Sequence, residues 1–155
     1  MCGIAGYIGK KRIDEQALYK TLSLMKNRGP DHQDYKYIEQ NDTKVYLLHS
    51  RLSIIDLDKR SNQPYTLDNC TLIFNGEIYN FVELREDLER HGIKCKTTSD
   101  TEVLLRYYLL YGEDCVDHFE GMWTFAIYDE GRKKLFLSRD RFAEKPLYYY
   151  QSEDG

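Results

Sequence analysis

The order of apolar patterns along the chain limits its possible folds more than any other feature of the sequence. Strand-like apolar runs occupy residues 2–9, 34–39, 44–55, 70–75, 122–129, 133–140 and 147–150. The runs 122–129 and 133–140 are close enough for a hairpin, and residues 56–65 are typical of a long polar loop. Helical spacing of apolar residues occupies 14–29, 80–92 and 99–112, and the last two begin with capping-box sequences. Because strands and helices do not alternate strictly, this order favours an α+β fold with two stacked sheets and helices outside, and not a doubly wound parallel sheet.

Composition and charge narrow the classes of function. A chain of 155 residues with 41% apolar residues suits one globular domain, and a net charge of -4 offers no electrostatic case for nucleic acid or an anionic membrane as partner. No segment approaches the roughly 18 apolar residues of a membrane span. The short apolar start is followed, not preceded, by its positive charges, which is the reverse of a secretory signal. We therefore expect a cytoplasmic protein.

The cysteines and histidines show no metal-binding pattern. Four cysteines lie far apart without a C-x-x-C pair, and four histidines share no ligand spacing, so we expect no metal site in this chain. We also expect no cofactor, because the chain has no phosphate-binding loop. Three cysteines are expected to be small core residues. Cys2 differs, because removal of Met1 would leave a thiol and a free α-amine on one carbon. That amine has a pKa of roughly 7.7–8.0 against roughly 8.5 for the thiol, so one residue would supply nucleophile and base.

The stretch FNGEIYN has two interpretations. Asn-Gly between strands is the strongest short hairpin signal, which favours a tight turn at Asn75 and Gly76. The following residues do not alternate as a returning strand, however, and run into the helix at Asn80. The second interpretation is therefore a strand end at which the Asn75 amide and the Gly76 N–H stabilise an oxyanion, with the missing Cβ giving room for a substrate carbonyl.

Two charged residues each have a structural and a functional interpretation. Arg51, next to an apolar strand, is either paired at a sheet edge or grips a carboxylate with its planar fork. Asp100 is either a first-turn acid favoured by the helix dipole or a partner for a ligand amine, since Ser99 already explains the helix cap.

Five ordered motifs resemble the glutamine-hydrolysing domain of class II glutamine amidotransferases, and within that class the asparagine synthetase branch. These motifs are CGIAG at 2–6, RGPD at 28–31, HSRLSI at 49–54, NGEIYN at 75–80 and SDTE at 99–102. The branch is indicated by RGPD together with SNQPY, RDRF and KPLYY. One departure is Ala143-Glu144, where the family often has glycine and a small apolar residue, which puts the usual loop shape there in doubt.

The resemblance implies a fold and roles for particular residues. It implies a four-layered αββα sandwich of the N-terminal nucleophile hydrolase type over residues 1–155, which we expect to be truncated at its C-terminal end. Cys2 would be the nucleophile, and Asn75 with Gly76 the oxyanion hole. L-glutamine would be held by Arg51 at its α-carboxylate and by Asp100 at its α-amine, and Leu52, Ile54, Gly76 and Glu77 would line the site. Ammonia and glutamate would form through a γ-glutamyl thioester.

The resemblance also implies a second activity that this chain lacks. Full-length relatives pass ammonia to a downstream synthetase domain, where ATP and Mg activate aspartate, but the chain has no Ser-Gly-Gly phosphate loop and no G-x-x-x-x-G-K motif. We therefore expect only the glutaminase half here. Two alternatives are an amidotransferase domain that feeds a sugar or peptide acceptor, and a non-catalytic relative that binds glutamine.

Overall fold

The computed structural model describes residues 1–155 and has two antiparallel sheets flanked by helices. The strands are β1 (Gly3–Gly9), β2 (His32–Gln40), β3 (Thr43–Arg51), β4 (Tyr65–Leu67), β5 (Cys70–Ile78), β6 (Gly121–Asp129) and β7 (Lys134–Arg139). The helices are α1 (Glu15–Met25), α2 (Phe81–Arg90) and α3 (Asp100–Tyr111). Two 3₁₀ segments lie at Lys59–Ser61 and Gly112–His118.

The strands form two sheets. Neighbouring strands are consecutive in sequence except for β1, which pairs with β3. The first sheet has the order β1-β3-β2, with Gly3 opposite Ser50 and His32 opposite Arg51. The second has the order β4-β5-β6-β7, and β6 and β7 form the predicted hairpin. Every pair is antiparallel, which allows the short connections that the sequence contains.

Alternating side chains build the layers. On β3, Tyr46 and Leu48 pack with Leu18 and Leu22 of α1, whereas Val45 and Leu47 face the second sheet. On the second sheet, the opposite face packs against α2 and α3 in the largest apolar cluster. The order of layers is therefore α1, first sheet, second sheet, α2 with α3, which confirms the predicted αββα sandwich.

Two predicted strand segments differ in the structure. The run 44–55 is a strand only to Arg51, because its neighbours β1 and β2 offer no pairing residue beyond that point. The predicted strand at 147–150 is irregular backbone with its three tyrosines largely exposed, and it joins neither sheet. The short strand β4 lies partly in a segment that the sequence favoured as loop, and it is formed by pairing with β5.

One of the two predicted capping boxes does not form, and the other is only half formed. Ser99 accepts a hydrogen bond from the Thr101 N–H and caps α3, but Glu102 turns away to accept from Lys96, Thr97 and Arg106. Asn80 caps no helix N–H; its side chain links to the backbone of residues 118 and 120. Competing polar groups explain both differences: neighbours within six residues for Glu102, and residues about 40 positions away for Asn80. None of the helices is long and apolar enough to cross a membrane.

Candidate active site

The ends of several elements meet at one edge of the layer between the sheets and line a pocket. They are the start of β1, the ends of β3 and β5, and the first turn of α3. The structure brings together in this pocket all eight residues predicted for the site: Cys2, Arg51, Leu52, Ile54, Asn75, Gly76, Glu77 and Asp100. Residues separated by up to 98 positions in sequence therefore share one cavity.

The Cys2 thiol lies against the backbone just beyond β3. Its Sγ accepts a hydrogen bond from the Leu52 N–H at 3.4 Å, and the Cys2 carbonyl accepts one from Arg28 Nε at 3.0 Å. Burial raises the pKa of the Cys2 thiol, and this effect outweighs the Leu52 hydrogen bond and the positive charges of the N-terminal amine and Arg51. The thiol is thus mostly protonated at neutral pH and needs a base. No histidine lines the pocket.

Asn75 and Gly76 do not form a turn, so the hairpin interpretation is wrong. Strand β5 continues through both residues to Ile78, which pairs with Gly121 on β6. Asn75 is 5% exposed, and its side-chain amide makes no hydrogen bond within the protein while it lines the pocket. Its amide is not among the fully enclosed polar atoms that lack a partner, so it faces the open pocket and is available to a ligand.

Close packing of β5 against β6 requires glycine at position 76, in addition to the predicted need for space beside a substrate carbonyl. A Cβ at Gly76 would lie 2.2 Å from the Met122 carbonyl oxygen and 2.7 Å from the Trp123 Cα. Strand β6 therefore approaches too closely for any other residue. This contact holds the end of β5, and with it Asn75, against the rest of the second sheet.

Arg51 is buried, and its terminal nitrogens contact the loop that follows β3. Nη1 donates to the Asp58 carbonyl at 3.0 Å and to Asn62 Oδ1 at 2.6 Å. Nη2 donates to the Ile55 carbonyl at 3.3 Å and to the Asp56 carbonyl. Both terminal nitrogens are thus occupied by residues 55–62, so a carboxylate ligand would have to displace some of these acceptors.

Asp100 begins α3 and is almost completely buried. Its Oδ2 accepts from the Ile78 N–H at 3.2 Å, and its Oδ1 accepts from Ser99 Oγ at 3.3 Å. Burial raises the pKa of Asp100 to about 6, although these hydrogen bonds oppose the shift. A ligand ammonium beside this carboxylate would favour its charged form. The Ser99 cap leaves Asp100 at the pocket wall, as the sequence predicted.

The RGPD segment holds two sides of the pocket. Arg28 contacts the Cys2 carbonyl, and Asp31 Oδ2 accepts from the Ser53 N–H at 2.7 Å. The Asp31 N–H in turn donates to the Arg51 carbonyl at 3.0 Å. The motif therefore links Cys2 and the start of the 52–62 loop to each other.

Sequence reasoning missed two buried polar residues of the pocket. Gln63 joins β5 to α3, since its Oε1 accepts from the Phe74 N–H at 2.7 Å and its Nε2 donates to Thr101 Oγ1 at 3.3 Å. Lys145 is 3% exposed and reaches the pocket next to Met1. Both residues belong to motifs, SNQPY and KPLYY, that the sequence analysis used only to choose a family branch. The structure has no group of His, Cys, Asp or Glu side chains arranged to hold a metal ion.

Comparison with known proteins gives one family and a consistent set of relatives. The glutamine amidotransferase domain family matches residues 1–155. Asparagine synthetase [glutamine-hydrolyzing] 3 of Bacillus subtilis is 39% identical over 96% of this chain, and asparagine synthetase [glutamine-hydrolyzing] 1 of the same organism is 40% identical over 99%. A putative asparagine synthetase [glutamine-hydrolyzing] 2 of Methanocaldococcus jannaschii is 38% identical over 97%.

These relatives are much longer than the chain. It spans 25% of each Bacillus subtilis protein and 32% of the Methanocaldococcus jannaschii protein. The similarity therefore concerns one domain of each relative.

Proposed function

The chain belongs to the glutamine amidotransferase domain family, and we propose that it hydrolyses the side-chain carboxamide of L-glutamine with Cys2 as nucleophile. The observation that carries this proposal is the pocket itself. It places a thiol near the chain start, an unpaired Asn75 amide and a buried Asp100 carboxylate around one cavity. A thiol attacks, an amide stabilises an oxyanion, and a carboxylate pairs with an amino group.

The base that we propose is the α-amine of Cys2 after removal of Met1. Burial favours the protonated thiol, so attack requires an acceptor for its proton, and no histidine lines the pocket to take that part. While Met1 is attached, the Cys2 nitrogen is an amide and accepts no proton near neutral pH. Once Met1 is removed, the same nitrogen is an amine whose ordinary pKa is roughly 7.7–8.0.

The proposed reaction has two balanced steps. The Cys2 sulfur bonds to the carboxamide carbon, and its proton passes through the α-amine to the leaving nitrogen, which departs as ammonia. The developing oxyanion is stabilised by Asn75 and Gly76. Water then attacks the γ-glutamyl thioester, gives one proton back to the sulfur through the amine, and releases glutamate.

Substrate orientation is proposed to come from the opposite end of the pocket. Asp100 pairs with the α-ammonium group of glutamine. Arg51 pairs with the α-carboxylate, which displaces some of the oxygen atoms of residues 55–62 that accept hydrogen bonds from Arg51. Leu52, Ile54 and Glu77 line the space between. Fixing both charged groups of the amino acid brings the carboxamide carbon to the sulfur.

The ammonia is proposed to serve a downstream ATP-dependent synthetase domain, with aspartate as the acceptor. Support comes from the names of the relatives and from their length, which is three to four times the matched part. The glutaminase step needs no cofactor in this scheme. We place the protein in the cytoplasm, where its four free cysteines would stay reduced.

The test is an assay of glutamate and ammonia release by processed and Met1-retaining protein, separated and identified by mass. We expect activity only in the processed form, and none in Cys2→Ala. Cys95→Ala is the matched control, because Cys95 lies outside the pocket, and it should keep normal activity. Equal rates with and without Met1, or wild-type rates in Cys2→Ala, would overturn the proposal. Glutamine binding without turnover in the processed protein would favour the non-catalytic alternative.

A further inference from the structure

Lys145 is a buried cation without a counter-ion. The residue is 3% exposed, and no carboxylate lies within 4.0 Å of its Nζ. The hydrogen-bond partner of Nζ is the Met1 sulfur, at 2.6 Å. Burying a charged side chain without a partner of opposite charge costs free energy. Buried charges of this kind are therefore found mainly at functional sites. Lys145 therefore needs an explanation that core packing does not supply.

The position of Lys145 is held by Asp140. The Asp140 carboxylate accepts hydrogen bonds from four backbone N–H groups, those of Trp123, Phe142, Glu144 and Lys145, at 2.9–3.3 Å. Burial alone would raise the pKa of Asp140, but these hydrogen bonds outweigh it and lower the pKa. The loop 140–145 is thereby fastened to the start of β6, and the Lys145 side chain is directed to the pocket.

The distance from Lys145 to the nitrogen of Cys2 has an upper limit. Met1 is bonded to Cys2, and five covalent bonds separate the Met1 sulfur from the Cys2 nitrogen. An extended path of that length is about 6 Å, so Lys145 Nζ lies within about 9 Å of the Cys2 nitrogen. When Met1 is removed, the space that its side chain filled between the two groups becomes open.

We propose that Lys145 is a positioning residue that keeps the Cys2 α-amine unprotonated near neutral pH, so that this amine can accept the thiol proton. The inference rests on the proposed function, because it assigns a role toward the proposed base. The physical reason is that a fixed ammonium within about 9 Å disfavours a second positive charge on the amine. No proton transfer by Lys145 itself is involved.

Other charges also act on this amine, in both directions. Arg28, at the Cys2 carbonyl, and Arg51 add to the effect of Lys145, whereas Glu77 and Asp100 oppose it. Arg51 is bound by the 55–62 loop and Asp100 by Ile78 and Ser99. Lys145 differs because its charge has no such partner and faces the space beside Met1.

The first measurement is the pH profile of kcat/KM for glutamine in the processed protein. In Lys145→Met we expect the acidic limb to move up by about one pH unit, with about fivefold lower activity at pH 7. Lys145→Arg should restore the profile, because it returns the charge. Lys20→Met, on the exposed face of α1, is the matched control and should leave the profile unchanged. A raised KM with an unmoved profile would overturn the proposal and make Lys145 a substrate-binding residue.

The second measurement does not depend on turnover. Carbon-13 labelled cysteine reports the α-amine of processed protein through the Cys2 Cα signal, which is identified by its absence from Cys2→Ala. The titration midpoint of the α-amine should lie about one pH unit higher in Lys145→Met than in the wild type. An unchanged midpoint would overturn the inference. If Lys145→Met does not fold, Lys145→Gln takes its place. An inactive wild type with the expected shift would refute the glutaminase proposal while leaving the charge effect intact.

Discussion

At the scale of single residues, Asn75 provides the most direct test of the oxyanion site. Its amide faces the pocket and has no partner within the protein, so its removal leaves no other group unpaired. We expect Asn75→Ala to lower kcat by roughly 10²–10³, with a smaller effect on KM, since an oxyanion donor acts mainly in the transition state. Asn69→Ala, outside the pocket, is the control. An unchanged kcat in steady-state assays would leave Asn75 with no part in the chemistry.

Arg51 is expected to affect both substrate binding and stability. Arg51→Ala should raise KM for glutamine about 10–100-fold, because it removes charge-assisted hydrogen bonds worth roughly 1.5–3 kcal/mol. It should also lower the free energy of unfolding, since the carbonyls of residues 55, 56 and 58 lose their donor.

A second variant separates these two effects of Arg51. Asn62→Ala removes one loop acceptor and keeps the guanidinium. If Asn62→Ala raised KM as much as Arg51→Ala does, Arg51 would act through the loop and not on the carboxylate. KM and urea denaturation are the two measurements.

Asp100 should make glutamine binding depend on pH. Its pKa of about 6 means that the carboxylate is neutral below that pH and loses its attraction for an ammonium group. We expect KM to rise about tenfold for each pH unit below about 6. Asp100→Asn should have a high KM without this pH dependence. A wild-type KM that stays constant from pH 7 to pH 5 would contradict the assignment.

At the scale of elements, the loop after β7 holds a residue other than glycine in a left-handed backbone conformation. Ala143 adopts a φ of 58°, in the left-handed region that costs a residue with a Cβ roughly 1 kcal/mol or more. Its N–H donates to the Asp140 carbonyl at 3.1 Å, and the Asp140 carboxylate holds the residues around it. The hydrogen bonds of Asp140 therefore hold Ala143 in this conformation.

This loop gives a stability prediction. Ala143→Gly should raise the free energy of unfolding by up to about 1 kcal/mol, because glycine adopts this φ without the Cβ clash, although its greater freedom when unfolded offsets part of the gain. Ala17→Gly in α1 is the control and should destabilise by about 1 kcal/mol. Chemical denaturation measures both. A destabilised Ala143→Gly would show that the left-handed backbone causes no strain there.

At the scale of the whole molecule, two buried groups link stability to acid in opposite directions. His49 lies between the sheets, where Nε2 donates to the Phe74 carbonyl at 3.0 Å, and burial lowers its pKa to about 4. Below about pH 6.5 the unfolded chain protonates this histidine and the folded chain does not, so stability is lost as the pH falls toward 4. The full contribution is about 3 kcal/mol.

Asp100 has the opposite sign in nearly the same range. The folded chain retains the Asp100 proton up to about pH 6, whereas the unfolded chain releases it near 3.8, so stability is highest below 3.8 and is lost as the pH rises through 6. We expect His49→Gln to become more stable, relative to wild type, as the pH falls from 6.5 to 4. Asp100→Asn should become less stable, relative to wild type, over the same fall in pH. Parallel stability curves for all three proteins would refute both assignments.

The sequence by itself determined the features that depend on local pattern or on residue identity. Period-two and helical spacing identified most strands and all three helices, because these periodicities follow from the backbone geometry of each element. The ordered motifs indicated the family, now shown by the match over residues 1–155. They also named eight of the residues that line the pocket. Their catalytic and binding roles stay predictions.

Only the tertiary structure decided where groups distant in sequence compete for the same partners. It ended β3 at Arg51, because pairing stops where β1 and β2 stop. It joined Gln63 to Thr101, 38 positions away, and it placed Lys145 beside Met1, 144 positions away. Hydrogen bonding and charge act over a few ångströms, so they depend on which residues the packed layers bring together, and no local pattern in the chain contains that information.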